Sequence, residues 1–421
     1  MLTIRHVLAA ALFGAAIGCR DEPTALKTAI GQPPSRVVAL SPPGAVAVGK
    51  LIFFDTRLSA NGNQSCAACH APETGWTGQN QSINGGGAVY EGSIAGRFGN
   101  RKPPSSAYAT PSPVFRLDVG KKDELFVGGN FWDGRATGEI LGCPAAEQAQ
   151  GPFLNPVEQA LADASTLVGL VCSGPYGTFF TAAWGETMCQ PGHVNEAFNA
   201  IGVSVAAYED SPESNAFSSK YDAYLAKKAK LDPEEHLGLA LFRGKAKCAA
   251  CHIADGGRGE HPLFTDFTYD NVGIPKNPAN PWYASPLNPQ GGGWIDPGLG
   301  GFLETRSEYA ELAPENMGKF KVPTLRNVDL RPSPSFVKAF GHNGYFKSLK
   351  GIVHFYNTRD VLPSCGSGMF TEAQALAAKC WPQPEVSANL NRAEMGNLKL
   401  SEREEWAIIA FLKTLSDGYQ P

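Results

Sequence analysis

Two stretches of the chain, Cys66-Ala67-Ala68-Cys69-His70 and Cys248-Ala249-Ala250-Cys251-His252, hold the residues whose types and spacing most sharply define a chemistry. Each sets two thiols three positions apart, with an imidazole directly after the second. That spacing lets the thiols add across both vinyl groups of one porphyrin while the adjacent imidazole reaches its iron. One copy would also suit a redox dithiol or half a zinc site. Two copies behind an export signal point to two covalently attached c-type haems, with His70 and His252 as proximal ligands. The group opposite each iron then decides the class, because an electron carrier fills both axial positions and an enzyme leaves one open.

Candidates for those opposite positions are few. Outside the export signal the remaining histidines are His193, His236, His261, His342 and His354, and the methionines are Met188, Met317, Met369 and Met395. None of these imidazoles lies between residues 71 and 192. The first iron therefore has no ligand from its own half other than Met188 or His193, and an open iron is the simplest reading.

The elements that must carry the motifs are helical. Gly49-Lys50-Leu51-Ile52-Phe53-Phe54 precedes the first motif and Leu239-Ala240-Leu241-Phe242-Arg243-Gly244-Lys245 the second, each with apolar residues at helical spacing. Such a repeat predicts an all-α fold of two cytochrome c-like haem domains joined by long Gly/Pro-rich loops. Residues 44–230 are expected to form the first domain and 231–421 the second, with the boundary near 227–233. At the C-terminus, Ser401 and Glu404 form a capping box, and Trp406, Ile408, Ile409, Leu412 and Leu415 supply one apolar helix face. Residues 254–323, rich in Gly, Pro and Asn, show no lasting period and are expected to be a long loop over the second haem.

The chain has 421 residues, 43% hydrophobic and 18% charged, which is too apolar for disorder and long enough for two cores. A formal net charge of −4, from 36 basic and 40 acidic residues, provides no basic stripe, so nucleic acid is excluded as a partner class. Residues 1–19 read as an export signal, with Arg5 and His6 before an apolar run at 7–17 that is too short to span a bilayer. The run ends Ala16-Ile17-Gly18-Cys19, which resembles a bacterial lipoprotein box with Cys19 as the lipidated residue. A plain secretory signal cut nearby is the alternative. Either way the protein is expected in the periplasm or at the cell surface, as an outer-membrane lipoprotein if Cys19 is lipidated, with 20–43 as a mobile tether. Five cysteines remain, and Cys365 with Cys380 is the first expected disulfide. Among Cys143, Cys172 and Cys189 the pairing stays open.

Several motifs together give a specific resemblance. They are LIFFDTRLSANGNQSCAACH at 51–70, NFWDGRA at 130–136, EQAQGPFLNPVE at 147–158, GLALFRGKAKCAACH at 238–252, FKVPTLRNV at 320–328 and GHNGYFKSLKGIVHFYNTRD at 341–360. The chain resembles the bacterial di-haem cytochrome c peroxidase and MauG family from about Val48 to its C-terminus. The resemblance implies that the first haem is the peroxide site and the second exchanges electrons. It implies that Trp132 relays charge between them, and that Gln148 and Glu158 stand in the distal pocket of the first.

Three departures from the peroxidase pattern follow. Residues 85–102 contain no histidine to cap the resting first iron, which is similar to MauG-type members. Tyr356 falls where peroxidases place a methionine and MauG-type members a tyrosine, with Met369 or Met395 as the alternative ligand of the second iron. Lys102 matches an asparagine that the family uses for calcium, so an ammonium is expected where that ion would sit and calcium is left open. The implied functions are a peroxidase that reduces hydrogen peroxide with electrons from a small cytochrome c or cupredoxin, or a MauG-type oxidase of aromatic residues on a partner protein. A plain di-haem carrier is the third reading.

Overall fold

Each cysteine-histidine motif is delivered by a helix that crosses a second helix at a glycine. The computed structural model describes residues 36–119, 124–256 and 261–420. The export signal, Cys19 and the first part of the expected tether lie outside them. In the first half come Arg36–Leu40 (α1), Ala45–Phe53 (α2), Gln81–Gly85 (α3), Pro144–Leu154 (α4), Ala164–Ser173 (α5), Gly177–Trp184 (α6), Val194–Glu209 (α7) and Lys220–Leu225 (α8). In the second come Pro233–Arg243 (α9), Leu299–Leu303 (α10), Leu349–Thr358 (α11), Glu372–Ala378 (α12) and Glu402–Lys413 (α13). The fold is mostly helical, as expected. Two small antiparallel pairs are added to it: Arg116–Val119 (β1) with Glu124–Val127 (β2), and Tyr269–Asp270 (β3) with Phe320–Lys321 (β4).

The glycines explain the crossings. A Cβ on Gly49 of α2 would lie 1.8 Å from the Ser204 carbonyl oxygen of α7, and one on Gly238 of α9 would lie 1.9 Å from the Ala407 oxygen of α13. Backbones can approach this closely only where no side chain intervenes. One turn further on, Phe53 and Phe242 are both fully buried. They head two hydrophobic cores, the first built on Ile52, Leu167, Ile201 and Tyr208, the second on Leu239, Phe264, Ile408 and Phe411. Burying each such side chain contributes roughly 1.5–3 kcal/mol. The chain from Gln32 to Pro421 packs as one unit around both cores.

Local signals for helix ends are legible. The Ser401–Glu404 capping box opens α13, and Asp232 with Glu235 makes another at α9. The expected apolar face of α13 needs one correction: Trp406 is 48% exposed, and Ala407 and Phe411 take the buried places beside Ile408 and Leu412. The tether is also shorter than expected, because 36–40 is helical and Val37 is buried against Ala206 and Ala207. The described residues of 254–323 are mostly loop, as expected, interrupted by β3, β4, α10 and short 3-10 turns. Side chains within it hold it to both halves: Asn277 Nδ2 donates to Asn343 O at 3.0 Å and Asn280 Nδ2 to Asn100 O at 2.9 Å.

Cys365–Cys380 is a disulfide, and Cys172–Cys189 settles the open trio, leaving Cys143 buried and free. Among the described residues no helix is long and apolar enough to cross a membrane.

Replacing a helical glycine with alanine ordinarily stabilises a helix by about 1 kcal/mol. At Gly49 and Gly238 the sign is expected to reverse. Gly49→Ala and Gly238→Ala should each lose at least about 2–3 kcal/mol through overpacking, read from the denaturant midpoint. Gly169, whose added Cβ would meet nothing within 4 Å, serves as the control.

Candidate active site

Both motifs fold as the same device. A single 3-10 turn, Cys66–Ala68 or Cys248–Ala250, brings the histidine N–H back to the first cysteine carbonyl, at 3.0 Å for His70 and 2.9 Å for His252. His70 Nδ1 lies 3.2 Å from Trp76 O and His252 Nδ1 lies 2.8 Å from Phe264 O. A carbonyl can only accept, so Nδ1 carries the proton and Nε2 keeps its lone pair, the form that binds a metal. Burial pushes the His70 imidazole down to about 4 and lowers that of His252, which keeps both neutral. Burial also pushes the Cys69 and Cys248 thiols up to about 12.

One continuous cavity of about 400 Å³ is lined by His70, Cys69, Cys248, Cys251 and His252. A single water needs only ~10–15 Å³, so this space is built for something large. Three motif cysteines and two imidazoles with available Nε2 atoms stand at the wall of this extended cavity, and Cys66, the fourth motif cysteine, is likewise outside any disulfide; the set fits two covalently held haems. Cys251, Asp270 and Glu394 form the one metal-like grouping of His, Cys, Asp and Glu among the described residues, and it includes a cavity-facing motif sulfur. It therefore belongs to this site.

The structure brings together nearly every residue singled out from the sequence. Trp132, Gln148, Glu158 and Tyr356 all line this cavity, and so do Lys102 and His342. Trp132 Nε1 donates to Lys102 O at 2.8 Å, and Trp132 O accepts from Lys321 N at 2.8 Å, so both halves of the chain pin the indole. The Gln148 side chain hydrogen-bonds to no described residue, which leaves its carboxamide available to a ligand. Burial raises the Glu158 carboxyl, while Arg135 and a 3.1 Å hydrogen bond from Asn155 oppose the shift. A carboxyl raised in this way holds its proton more readily than an exposed one, which suits acid-base work.

Arg135 was not singled out from the sequence, although it sits in the NFWDGRA motif. Its guanidinium lies 3.9 Å over the Phe131 ring, bonds Asp133 and lines the cavity beside Glu158.

The cavity wall narrows the candidate iron ligands. Met188 and His193 do not line it, nor does Met369, which is 57% exposed. Met395, Tyr356 and His342 do line it. No described residue hydrogen-bonds the Tyr356 phenol, which stands close enough to Cys248 and Cys251 for their charges to bear on it.

Tyr356 owes its position to a network absent from the sequence reading. On the same helix α11, Lys350, His354 and Asn357 converge on Glu405 of α13. Lys350 Nζ and Asn357 Nδ2 each donate at 2.6 Å, and His354 Nδ1 lies at 2.9 Å. Burial alone would raise the Glu405 carboxyl, but the bonds from His354, Lys350 and Asn357 outweigh it and pull it down to about 2.

Fold and site together define a c-type haem oxidoreductase. A di-haem cytochrome c peroxidase family profile matches residues 43–230. The chain is 34% identical over 380 residues to the methylamine utilization protein MauG of Paracoccus denitrificans (strain Pd 1222), covering 89% of each. It is 27% identical over 340 residues to the cytochrome-c peroxidase IdrP1 of Denitromonas iodatirespirans, covering 77% of this chain and 76% of the relative. Its structure superposes on the diheme peroxidase BthA of Burkholderia thailandensis E264 with a TM-score of 0.71 at 30% identity, over 90% of this chain and 87% of that one. The chain belongs to the di-haem cytochrome c peroxidase family, whose members are haem c oxidoreductases that act with peroxide.

Glu405 gives a signed pH dependence. Its folded-state pKa lies below the ordinary 4.5, so its stabilisation is fully present above that value and is lost as pH falls through about 2. Glu405→Gln should cost about 2–3 kcal/mol at pH 7, and its stability should vary less between pH 5 and 2 than that of the unchanged protein. Denaturant titrations at stepped pH measure both.

Proposed function

We propose that this protein reduces hydrogen peroxide at the His70 site with electrons relayed through the His252 site, the two standing in separate cytochrome c-like domains. The observation that carries this reading is the cavity wall that His70 shares with the unpartnered Gln148 carboxamide and the raised acid Glu158, whose charge bears on Cys69; neither Met188 nor His193 lines it. A carrier would have no use for an open, proton-handling pocket, so the carrier reading is set aside.

Cys66, Cys69 and His70 would hold a haem, which would supply the redox-active iron for peroxide reduction. Around it the chain's own groups do the proton work. Gln148 orients the bound peroxide through its amide. Glu158 takes the proton from the oxygen nearer the iron and gives it to the farther one, so that oxygen leaves as water. Positioned acid-base transfer of this kind is worth roughly 10²–10⁴-fold. Arg135 opposes the rise that burial imposes on that carboxyl. Trp132, fixed at both its indole N–H and its carbonyl, is the relay between the two sites.

Tyr356 favours a second reading. Cys248, Cys251 and His252 would hold the second haem, and the Tyr356 phenol would be a further ligand to its iron. A phenolate donor lowers the iron potential relative to methionine and favours storing oxidising equivalents there. The protein would then act as a MauG-type oxidase of aromatic side chains on a partner. As a peroxidase its donor would be a small cytochrome c or cupredoxin. Calcium does not fit where the resemblance would put it. The Lys102 ammonium is buried there, 3.0 Å from Thr77 Oγ1 and 2.8 Å from Pro103 O. Export and anchoring through Cys19 complete the proposal, and place the protein in the periplasm or at the cell surface.

Glu158→Gln should slow the peroxide-dependent change of the haem spectrum by about 10²-fold or more in stopped flow. An unchanged rate removes Glu158 from the mechanism. Tyr356→Met should introduce a sulfur-to-iron charge-transfer band that the unaltered protein lacks. If the unaltered protein already shows that band, Met395 is the ligand. Fatty-acid labelling in a bacterial host should vanish in Cys19→Ser.

A further inference from the structure

Three tyrosines line the haem cavity: Tyr90, Tyr108 and Tyr356. A phenol beside a redox group can give up an electron if something takes its proton, because a buried ring left with the positive charge is costly. The three differ in that respect. Tyr90 Oη donates to the neutral Asn84 Oδ1 at 3.2 Å, and the Tyr356 phenol has no described partner. Tyr108 Oη donates to Asp417 Oδ2 at 2.6 Å. Other phenol–carboxylate pairs exist, Tyr176 with Asp55 at 2.7 Å and Tyr208 with Glu213 at 2.9 Å, but neither tyrosine lines the cavity. Among the described residues Tyr108 alone combines a place at the haem wall with a carboxylate on its hydroxyl.

The setting of Tyr108 joins it to the segments that hold both motif histidines. Trp76 O, which meets His70 Nδ1, also accepts from Ser106 N at 3.1 Å, two residues before Tyr108. On the other side, the Arg326 guanidinium lies 5.0 Å from the centre of the Tyr108 ring. Arg326 Nε donates to Pro262 O at 2.8 Å, two residues before Phe264, whose carbonyl meets His252 Nδ1. Asp222 holds this guanidinium through both carboxylate oxygens, so no unbalanced cation stands over the ring.

Asp417 gives the proton a way out. Tyr108 is 1% exposed, whereas Asp417 is half-buried and reaches solvent. Asn327 Nδ2 donates to Asp417 Oδ2 at 2.9 Å and Ser218 N to Asp417 Oδ1 at 2.9 Å, which fixes the carboxylate against the phenol. Phe217 N donates to Tyr108 Oη at 2.9 Å and fixes the phenol in turn. Burial and the Asp417 charge both raise the phenol, so it keeps its proton until an electron leaves. A tie for the C-terminus alone would need no place at the haem wall, since Asn327 and Ser218 already hold Asp417.

We propose that Tyr108 is an oxidisable phenol that gives an electron to the haem cavity while Asp417 takes its proton. The proposal rests on the peroxide chemistry of the previous section and adds a second electron source to it. One electron passes from the Tyr108 ring to the haem site that peroxide has oxidised. The phenolic O–H bond breaks, its proton moves to Asp417 Oδ2, and a neutral tyrosyl radical remains. A one-electron donor from outside later returns the electron, and Asp417 returns the proton. The other electron that one peroxide requires comes by way of the His252 site. Direct oxidation of Tyr108 from solution is excluded by its burial, so the radical reports electron loss through the cavity wall.

The test mixes the holoprotein, labelled with ring-deuterated tyrosine, with hydrogen peroxide and no donor. Rapid freezing and electron paramagnetic resonance follow, with optical spectra of the haems alongside. A radical signal narrowed by the label is expected. It should be lost in Tyr108→Phe and retained in Tyr90→Phe, while the haem spectral response persists in both. Asp417→Asn keeps an acceptor on the phenol but removes the base, and should slow the appearance of the signal by roughly 10²-fold. A tyrosyl signal that persists in Tyr108→Phe, or an unchanged rate in Asp417→Asn, overturns the proposal. Haem spectra that respond to peroxide with no tyrosyl signal overturn it too, and leave the peroxide reading standing. If peroxide leaves the haem spectra of the unaltered protein unchanged, the peroxide chemistry itself is wrong and both readings fall.

Discussion

Two helix crossings made at contact distance support everything else in this structure. Where α2 meets α7 and α9 meets α13, Gly49 and Gly238 let one backbone rest against a carbonyl of the other. Any larger residue would push the helices apart. The motifs start a short chain length after these helices, so a shift at either crossing would move His70 or His252 relative to the cavity wall. The repeat seen in the sequence is thus a repeat of one mechanical joint, used once for each motif.

Between the joints the halves are knitted together by buried polar groups. Lys338 Nζ bonds Thr74 O at 2.7 Å from the first half and Leu330 O at 2.8 Å and Asn327 O at 3.0 Å from the second. Lys321 reaches Ser112 Oγ at 2.6 Å, Gly129 O and Asn130 Oδ1. Arg326, almost wholly buried, is clamped by Asp222 through both carboxylate oxygens. Burying such groups is costly, and burial lowers both lysines, so each depends on the acceptors around it. Loss of a partner would leave a polar group unsatisfied in the interior. Lys321 also holds Trp132 through its backbone N–H, the fixed position that the proposed relay would need.

The electrostatics of the two sides of the cavity differ in kind. Around His70 the wall offers a raised acid, a free amide and a guanidinium, groups suited to handling protons. Around His252 it offers a phenol with no hydrogen-bond partner, held on a helix that Glu405 locks in place. The proposed division of labour, peroxide on one side and charge storage on the other, follows from that asymmetry and not from the motifs, which are identical.

The sequence by itself determined whatever depends on neighbours in the chain. The two CAACH stretches, the capping box at Ser401 and Glu404, the predominance of helix and the Cys365–Cys380 pair were all legible because their chemistry spans a few residues or one loop. Family motifs extended that reach to Trp132, Gln148, Glu158 and Tyr356. Only the tertiary structure decided what long-range packing controls. It turned Trp406 out to solvent, paired Cys172 with Cys189 and moved Met188, His193 and Met369 away from the cavity. It brought Arg135 to Glu158 and Glu405 to the helix of Tyr356. The physical reason is the same in each case: these groups interact through space across tens or hundreds of residues, and no local periodicity records which distant surface a side chain will meet.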